Sequence, residues 1–360
     1  MDRLEKAIAC TLHSIPGVGN RSLWKIRKLF GDFKSFYEAD KLVLYSSFLS
    51  TSIINILLEK RRNSPELLMQ EYQTKNIKVV CWDEPFYPQS LRNISNPPYI
   101  LYYQGDINIT NQPCFAIVGS RWPTDYGRNT AGKLAKELAA VGMVIVSGMA
   151  RGIDSEAHWG ALTSGKTIAV LGNGLDVVYP RENQKLFGEI INNGVVLSEF
   201  PPHTAPKPSH FPMRNRIISG LSRGLLVVEA KEKSGALITV DFALEQGRDV
   251  FAIPGPINSK NSVGTNNLIK QGAKLTMSIE DILEEYYDIN HVYSKTEPEQ
   301  LSILDGNEKL LLDIIAHNSM HFDQMLQLTG LDIGSLSTLL FKLELKGIIK
   351  SLPGNYYVRL

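Results

Sequence analysis

The sequence predicts an α/β protein built on a doubly wound parallel sheet, and three observations predict it. Between Cys114 and about Tyr287, apolar runs of strand length alternate with helical patterns. Each run is apolar throughout, as expected of parallel strands covered on both faces. Glycine-bearing loops follow those runs, and at least three of them open onto a helix. At 360 residues the chain exceeds the usual size of one domain, so smaller units are expected on either side of the sheet.

In chain order, residues 1–75 read as an N-terminal helical domain. From about Leu4 to Leu58 short helical patterns are broken by Gly and Pro, and Ser64 and Pro65 resemble an N-cap and first helical residue. The break at Ile15-Pro16-Gly17-Val18-Gly19 leads into a basic stretch with Arg21, Lys25, Arg27 and Lys28. Glycines there allow a tight turn that offers N–H groups to a phosphate, as in helix-hairpin-helix elements. Gly17, Gly19, Arg21 and Lys25 are thus candidate accessory DNA contacts; the alternative is a plain turn over a solvated basic face.

The sheet domain is expected at 76–288, after a Pro-rich approach (Tyr87-Pro88, Pro97-Pro98). Its strand candidates are Phe115 to Val118, Met143 to Val146, Thr167 to Leu171, Val195 to Ser198, Leu225 to Glu229 and Val250 to Ile253. Residues 289–305 are polar and aperiodic and read as a linker. In 306–360, Leu310 to Ile315, Phe322 to Leu328 and Ile333 to Leu345 have helical periodicity, with Asp332 placed to cap the third helix. Two strand-like runs flank Pro353-Gly354-Asn355, completing a winged-helix pattern. The expected architecture is a Rossmann-like sheet between an N-terminal helical (helix-hairpin-helix or SAM-like) domain and a C-terminal winged helix.

Composition narrows the function class. Hydrophobic residues at 43% and charged residues at 21% describe a globular protein with a real core. Cys10, Cys81 and Cys114 lack metal-ligand spacing and suit a reducing compartment. The start does not resemble a signal peptide, and no run of about 18 apolar residues exists to span a membrane, so a cytoplasmic protein without membrane partners is expected. With a net charge of +1, any nucleic-acid footprint must be local. Met1 to Arg62 holds eleven Lys/Arg against six Asp/Glu, whereas Asp305 to Leu360 holds five against six. The sharpest asymmetry lies between Glu199 and Glu229, where Lys207, Arg214, Arg216 and Arg223 occur with no acid.

Four loops carry the phosphate chemistry: Gly119-Ser120-Arg121, the stretch Ser147 to Gly152 with Gly148 and Arg151, Gly172-Asn173-Gly174, and Ser234-Gly235-Ala236. In an open parallel sheet such loops gather at the carboxyl edge, where helix N-termini present unpaired N–H groups to anions. Several cradles along one edge suit a chain of phosphates better than one pyrophosphate. The stretch from Lys207 to Arg216 adds cations, the aromatic face of Phe211 and the amide of Asn215, a combination that holds single strands. In the alternative, the glycines only permit tight turns, Phe211 packs in the core and one arginine pairs with Glu199 or Glu229.

Two apparent motifs fail on context. Residues 160–167, GALTSGKT, match the P-loop pattern, but Ser155 to Leu162 reads as helix and Thr167 as the start of a strand, with Gly165 closing the helix. The loop at Gly119 begins like a dinucleotide fingerprint, yet Arg121 and Trp122 stand where glycines belong, so no nicotinamide cofactor is expected. Asp154, Ser155, His158, Glu199 and Glu229 form no recognisable triad, and no cluster has metal spacing; no catalytic residue, metal or cofactor is assigned.

The runs AIVGSRWPTDYG from Ala116, SGMARGIDSEAH from Ser147, AVLGNGLDVVYP from Ala169, SEFP from Ser198, FPMRNRIISGLS from Phe211, EAKEKSGALIT from Glu229 and GTNNLIKQGA from Gly264 closely resemble the DNA-processing protein A (DprA/Smf) family. The resemblance covers nearly the whole chain. It implies a non-enzymatic bacterial protein that binds and protects incoming single-stranded DNA during natural transformation, loads the RecA recombinase onto it, and forms homodimers through the core. By position, Arg121, the Gly148 to Gly152 loop, Lys207, Phe211, Arg214, Asn215 and Arg216 would hold DNA, with Ser234 and Gly235 completing the phosphate pocket. The winged helix would be an accessory module, and its slight acidic lean leaves duplex DNA an open partner. Related Rossmann-like proteins support another reading, a nucleoside monophosphate phosphoribohydrolase-like enzyme using Glu229 and Arg214; a third is duplex regulation through the winged helix.

Overall fold

The structure, a computed structural model, describes residues 1–286, 289, 306–315, 320–345, 348–352 and 354–359. It divides into two compact units, residues 1–287 and 288–360. Apart from residue 289, the linker expected at 289–305 lies outside the described residues.

The first unit is organised by a nine-stranded sheet: β1 (Lys78–Cys81), β2 (Ile100–Gly105), β3 (Cys114–Val118), β4 (Val144–Ser147), β5 (Thr167–Leu171), β6 (Gly194–Ser198), β7 (Gly224–Val227), β8 (Asp249–Ala252) and β9 (Lys274–Leu275). Their order is β1-β2-β6-β5-β4-β3-β7-β8-β9. From β6 to β9 every pairing is parallel, while β2 runs antiparallel to both β6 and β1. All six expected strands are present, displaced by a residue or two at their ends. Side chains alternate between two cores, which is why the strand sequences are apolar throughout: Ile168, Val170, Val195 and Leu197 face one, Ala169, Leu171 and Val196 the other.

The topology fixes where a ligand belongs. From β3 the chain builds β4, β5 and β6 successively outward on one side, then returns to lay β7 against the other flank of β3. Strand order therefore reverses between β3 and β7, and the loops leaving their carboxyl ends are parted to form a crevice.

The N-terminal residues do not form a compact unit of their own, in contrast to the domain expected at 1–75. Ile8, Leu12, Leu23 and Phe33 from their helices share one core with Tyr99, Ile100, Tyr102, Ala169 and Leu171. The β1–β2 ribbon explains this: Val79, Cys81, Ile100 and Tyr102 present an apolar face that needs a cover. Helix Asn20–Phe30 is fastened by Asn20 Nδ2 and Trp24 Nε1, each donating to the Pro97 carbonyl at 2.9 Å. Ser64 is the residue before helix Pro65–Thr74, as expected, but its hydroxyl turns to Glu66 and does not cap.

The second unit contains helices Gly306–Ile314, Phe322–Thr329 and Ile333–Leu345 and a three-stranded sheet, β10 (Met320–His321), β11 (Ile349–Leu352) and β12 (Tyr356–Arg359), in the order β10-β12-β11. Asp332 caps the third helix, accepting from the Gly334 and Ser335 N–H groups at 2.9 and 3.0 Å. Among the described residues no helix is long and apolar enough to cross a membrane.

Candidate nucleic-acid interface

The crevice between β3 and β7 is a cleft of about 600 Å³, lined by residues from the loops after all of β3 to β7. Beside it lies a slot of 120 Å³ that shares Arg121, Trp122, Ala150, Tyr179, Phe211 and Arg214 with it. The separate loops picked from the sequence thus meet at one rim. Gly119, Ser120, Arg121, Phe211, Arg214, Asn215, Ser234 and Gly235 line the cleft; Gly148 and Arg151 line the slot.

Close backbone approach holds the rim together. Gly152 has φ +73°, and a Cβ there would come within 2.4 Å of the Ser120 carbonyl, which accepts the Ile153 N–H at 3.1 Å. That contact ties the first loop to the start of helix Ile153–Leu162. Gly148 gives room to Arg214: a Cβ would lie 2.2 Å from its Nη1, which donates to the Gly148 carbonyl at 2.6 Å.

Arg214 is buried beneath the cleft, and burial pulls it down to about 10. Its charge is met by Asp154, also buried, whose carboxyl is raised by burial while Arg214 lowers it. Asp154 accepts the N–H groups of Gly148 and Ala150 at 3.2 and 3.3 Å. This corrects an expectation: two amides of the Gly148 to Gly152 loop are already held by a carboxylate of the chain itself, and both glycines serve close packing. The anion-binding capacity shifts to side chains. Arg121, Lys231 and Lys233 are exposed in the cleft, and among the described residues none has a carboxylate partner. With Arg214 the lining carries four cations against one buried carboxylate. Helix Gly235–Glu245 also begins here, with Ser234 Oγ accepting the Ala236 N–H at 3.3 Å.

Other expected residues land elsewhere. Arg216 is buried and ion-paired with buried Glu199, so it points into the interior and is not a phosphate contact; the alternative pairing is the one the fold adopts. Gly172 is buried beneath Phe211, whose Cδ1 would lie 3.0 Å from a Cβ there. Lys207 is exposed between Pro206 and Pro208, both of which line the cleft. Gly17, Gly19, Arg21 and Lys25 lie outside the cleft lining; Gly17 is left-handed at φ +93°, and Lys25 sits 4.2 Å from the centroid of Phe48. Glu229 also lies outside it, accepting from Thr124 N–H and Oγ at 2.9 and 2.6 Å at the start of helix Asp125–Ala140. His158 is fully buried against Thr167 and pushed down to about 3 by burial, which keeps it neutral. Helix Ile153–Leu162 and β5 flank the GALTSGKT run as its context required, and the Gly165 N–H donates to Ala161 at 2.8 Å. Among the described residues no group of three or more His, Cys, Asp or Glu is arranged to hold a metal ion.

Arg151 is exposed and ion-paired with Glu182, itself half-exposed. Such exposed pairs are worth at most about 1 kcal/mol, so a phosphate can displace the carboxylate. Glu182→Gln is expected to strengthen single-strand affinity about two- to five-fold and to steepen its salt dependence by about 0.7 log units per log unit of salt, the contribution of one further neutralised phosphate. Titrations at several salt concentrations check this.

Comparison with known proteins places this architecture. Residues 78–287 match the model of the DNA recombination-mediator protein A family, and residues 295–355 match the DprA winged helix domain. Protein Smf of Synechocystis sp. is 34% identical across the full length of both chains. The X-ray structure of DNA processing protein A from Streptococcus pneumoniae aligns with a TM-score of 0.63 at 38% identity, covering 79% of this chain and 99% of that one. DNA processing protein A from Helicobacter pylori, whose structure is described as revealing a unique single-stranded DNA binding mode, aligns with a TM-score of 0.54 at 33% identity, over 61% of this chain and 96% of that one. The chain therefore belongs to the DNA recombination-mediator protein A (DprA/Smf) family.

Proposed function

We propose that this chain binds single-stranded DNA in the cleft between β3 and β7 and acts without catalysis as a mediator that protects incoming strands and loads the RecA recombinase during transformation. One observation carries the binding step: exposed Arg121, Lys231 and Lys233 converge with aromatic rings on a switch-point crevice whose one carboxylate is buried beside a guanidinium. Cations for phosphates and rings for unstacked bases are what a single strand requires. The family description as a recombination mediator supports the loading step, and the binding mode described for the Helicobacter pylori relative supports the ligand. Glu229 is committed to holding Thr124, so the hydrolase reading has no acid in the cleft to recommend it beyond buried Asp154.

The test is a titration of the full chain with labelled oligo-dT and with a hairpin duplex from 0.05 to 0.5 M salt. Three to five phosphate contacts, from the three cleft cations and rim residues Lys207 and Arg151, give an expected log-log slope of roughly 2 to 3.5. A flat salt response, or equal affinity for the duplex, would overturn the binding step; failure to promote strand exchange by RecA would overturn the loading step. We further propose a cytoplasmic homodimer formed through the core, supported by the exposed apolar side chains Leu275 and Met277 at edge strand β9 and just beyond it. Sizing by light scattering checks that state.

A further inference from the structure

Phe211 is the aromatic that the sequence offers for stacking, yet its surroundings are full. The Arg121 and Arg214 guanidinium carbons lie 5.4 and 5.9 Å from its ring centroid, the Tyr179 ring is 5.8 Å away, and Gly172 lies against its edge. The rings left open belong to Trp122, 69% exposed, and Tyr179, 42% exposed. Both line the main cleft and both line the 120 Å³ slot. Single exposed aromatics are ordinary on a surface. Two that face one slot beside unpaired cations are not scattered.

Resting on the single-strand reading above, we propose that the slot between Trp122 and Tyr179 receives an unstacked nucleobase, and that Phe211 is a positioning residue which seats Arg121 and Arg214. The slot has the liquid volume of about four waters, room for a planar ring rather than for a whole nucleotide. Arg151 lies over the indole of Trp122 at 5.7 Å from its centroid, orienting the ring by a cation–π contact while most of it stays open to solvent. The Trp122 N–H donates to Ser120 Oγ at 3.1 Å and its carbonyl accepts from Asn261 Nδ2 at 3.0 Å, so the backbone that carries the ring is held at both ends. Stacking on a π-face is open to every base, so the ligand class is any unpaired base rather than one sequence.

The experiment compares oligo-dT with an abasic strand of equal length, which keeps the phosphates and removes the rings. Trp122→Leu should weaken oligo-dT binding about 5- to 30-fold, the effect of losing one base–aromatic stack, leave abasic binding and the salt slope unchanged, and be rescued by Trp122→Phe. Oligo-dT should quench intrinsic fluorescence in the parent chain and lose most of that quenching in Trp122→Phe. Phe211→Leu should weaken both strands alike, because it acts through the guanidinium groups. Equal loss on both strands for Trp122→Leu, or loss confined to oligo-dT for Phe211→Leu, overturns the assignment. If the parent chain binds neither strand, it is the underlying single-strand reading that fails.

Discussion

Replacing Arg214 with methionine should lower the melting temperature by roughly 6–12 °C and abolish measurable single-strand binding. The guanidinium lies beneath the cleft, donates to the Gly148 carbonyl and is the main charge facing buried Asp154. Leaving that carboxylate without its counter-charge costs about 3 kcal/mol, at the lower end for broken buried pairs, and a chain of this size loses about 2–4 °C per kcal/mol. Binding fails for a linked reason: Asp154 holds the Gly148 and Ala150 amides, and the loop they belong to is packed against the Ser120 carbonyl. The sign of the pH dependence follows from burial. Asp154 already lies above the ordinary carboxylate range, and without Arg214 it rises further. A carboxyl whose folded pKa is raised adds stability below its unfolded pKa and loses it as pH climbs through the folded one. The melting gap between variant and parent should therefore be narrowest near about pH 5 and widest by about pH 8. Calorimetry across that range checks it, and a constant gap would show that Asp154 is not the group left stranded.

How much of this site could be read from the sequence depends on how local the physics is. The strands from β3 to β8 were legible because burial on both faces makes each one apolar throughout, and the loops after them because a parallel sheet sends all carboxyl ends to one side. β1 and β2 were hidden by the prolines between them, and β9 by its length of two residues. The packing of the N-terminal helices onto the ribbon is a long-range contact that no periodicity reports. Arg214 and Arg216 show the same limit within one helix. Two positions apart, at 3.6 residues per turn, they point to nearly opposite sides. Sequence supplies the pair, but only the helix's placement decides that Arg214 lies under the cleft and Arg216 meets Glu199. Lys231 and Lys233 escaped notice because the acid-free stretch ends at Glu229, while Glu232 between them masks the local charge. Trp122 read as a broken dinucleotide fingerprint, although an aromatic next to the arginine of an edge loop was itself the available signal.

The complementary variant separates binding from scaffolding. Arg121→Glu combined with Lys233→Glu changes two exposed side chains that have no carboxylate partner among the described residues, so stability should move by no more than about 0.5 kcal/mol per site. Each neutralised phosphate contributes a slope of about 0.7 for a single strand, which amounts to roughly 4-fold in affinity at 0.15 M salt. Inverting the charge removes that gain and adds repulsion of similar size, so two inversions should weaken oligo-dT binding on the order of 100-fold and make the salt slope shallower by at least about 1.4. At 0.5 M salt the deficit should shrink, because screening weakens the remaining repulsion. A stable variant that binds as the parent does would mean that the strand runs elsewhere, since the cleft would then have lost two of its three exposed cations without consequence. A variant that binds weakly at every salt concentration, with an unchanged slope, would mean that these cations shape the loops instead of meeting phosphates. The predicted pattern, lost affinity with a shallower slope and an unmoved melting temperature, requires that they do meet them, because only a charge in contact with the polyanion releases counterions while contributing nothing to the fold.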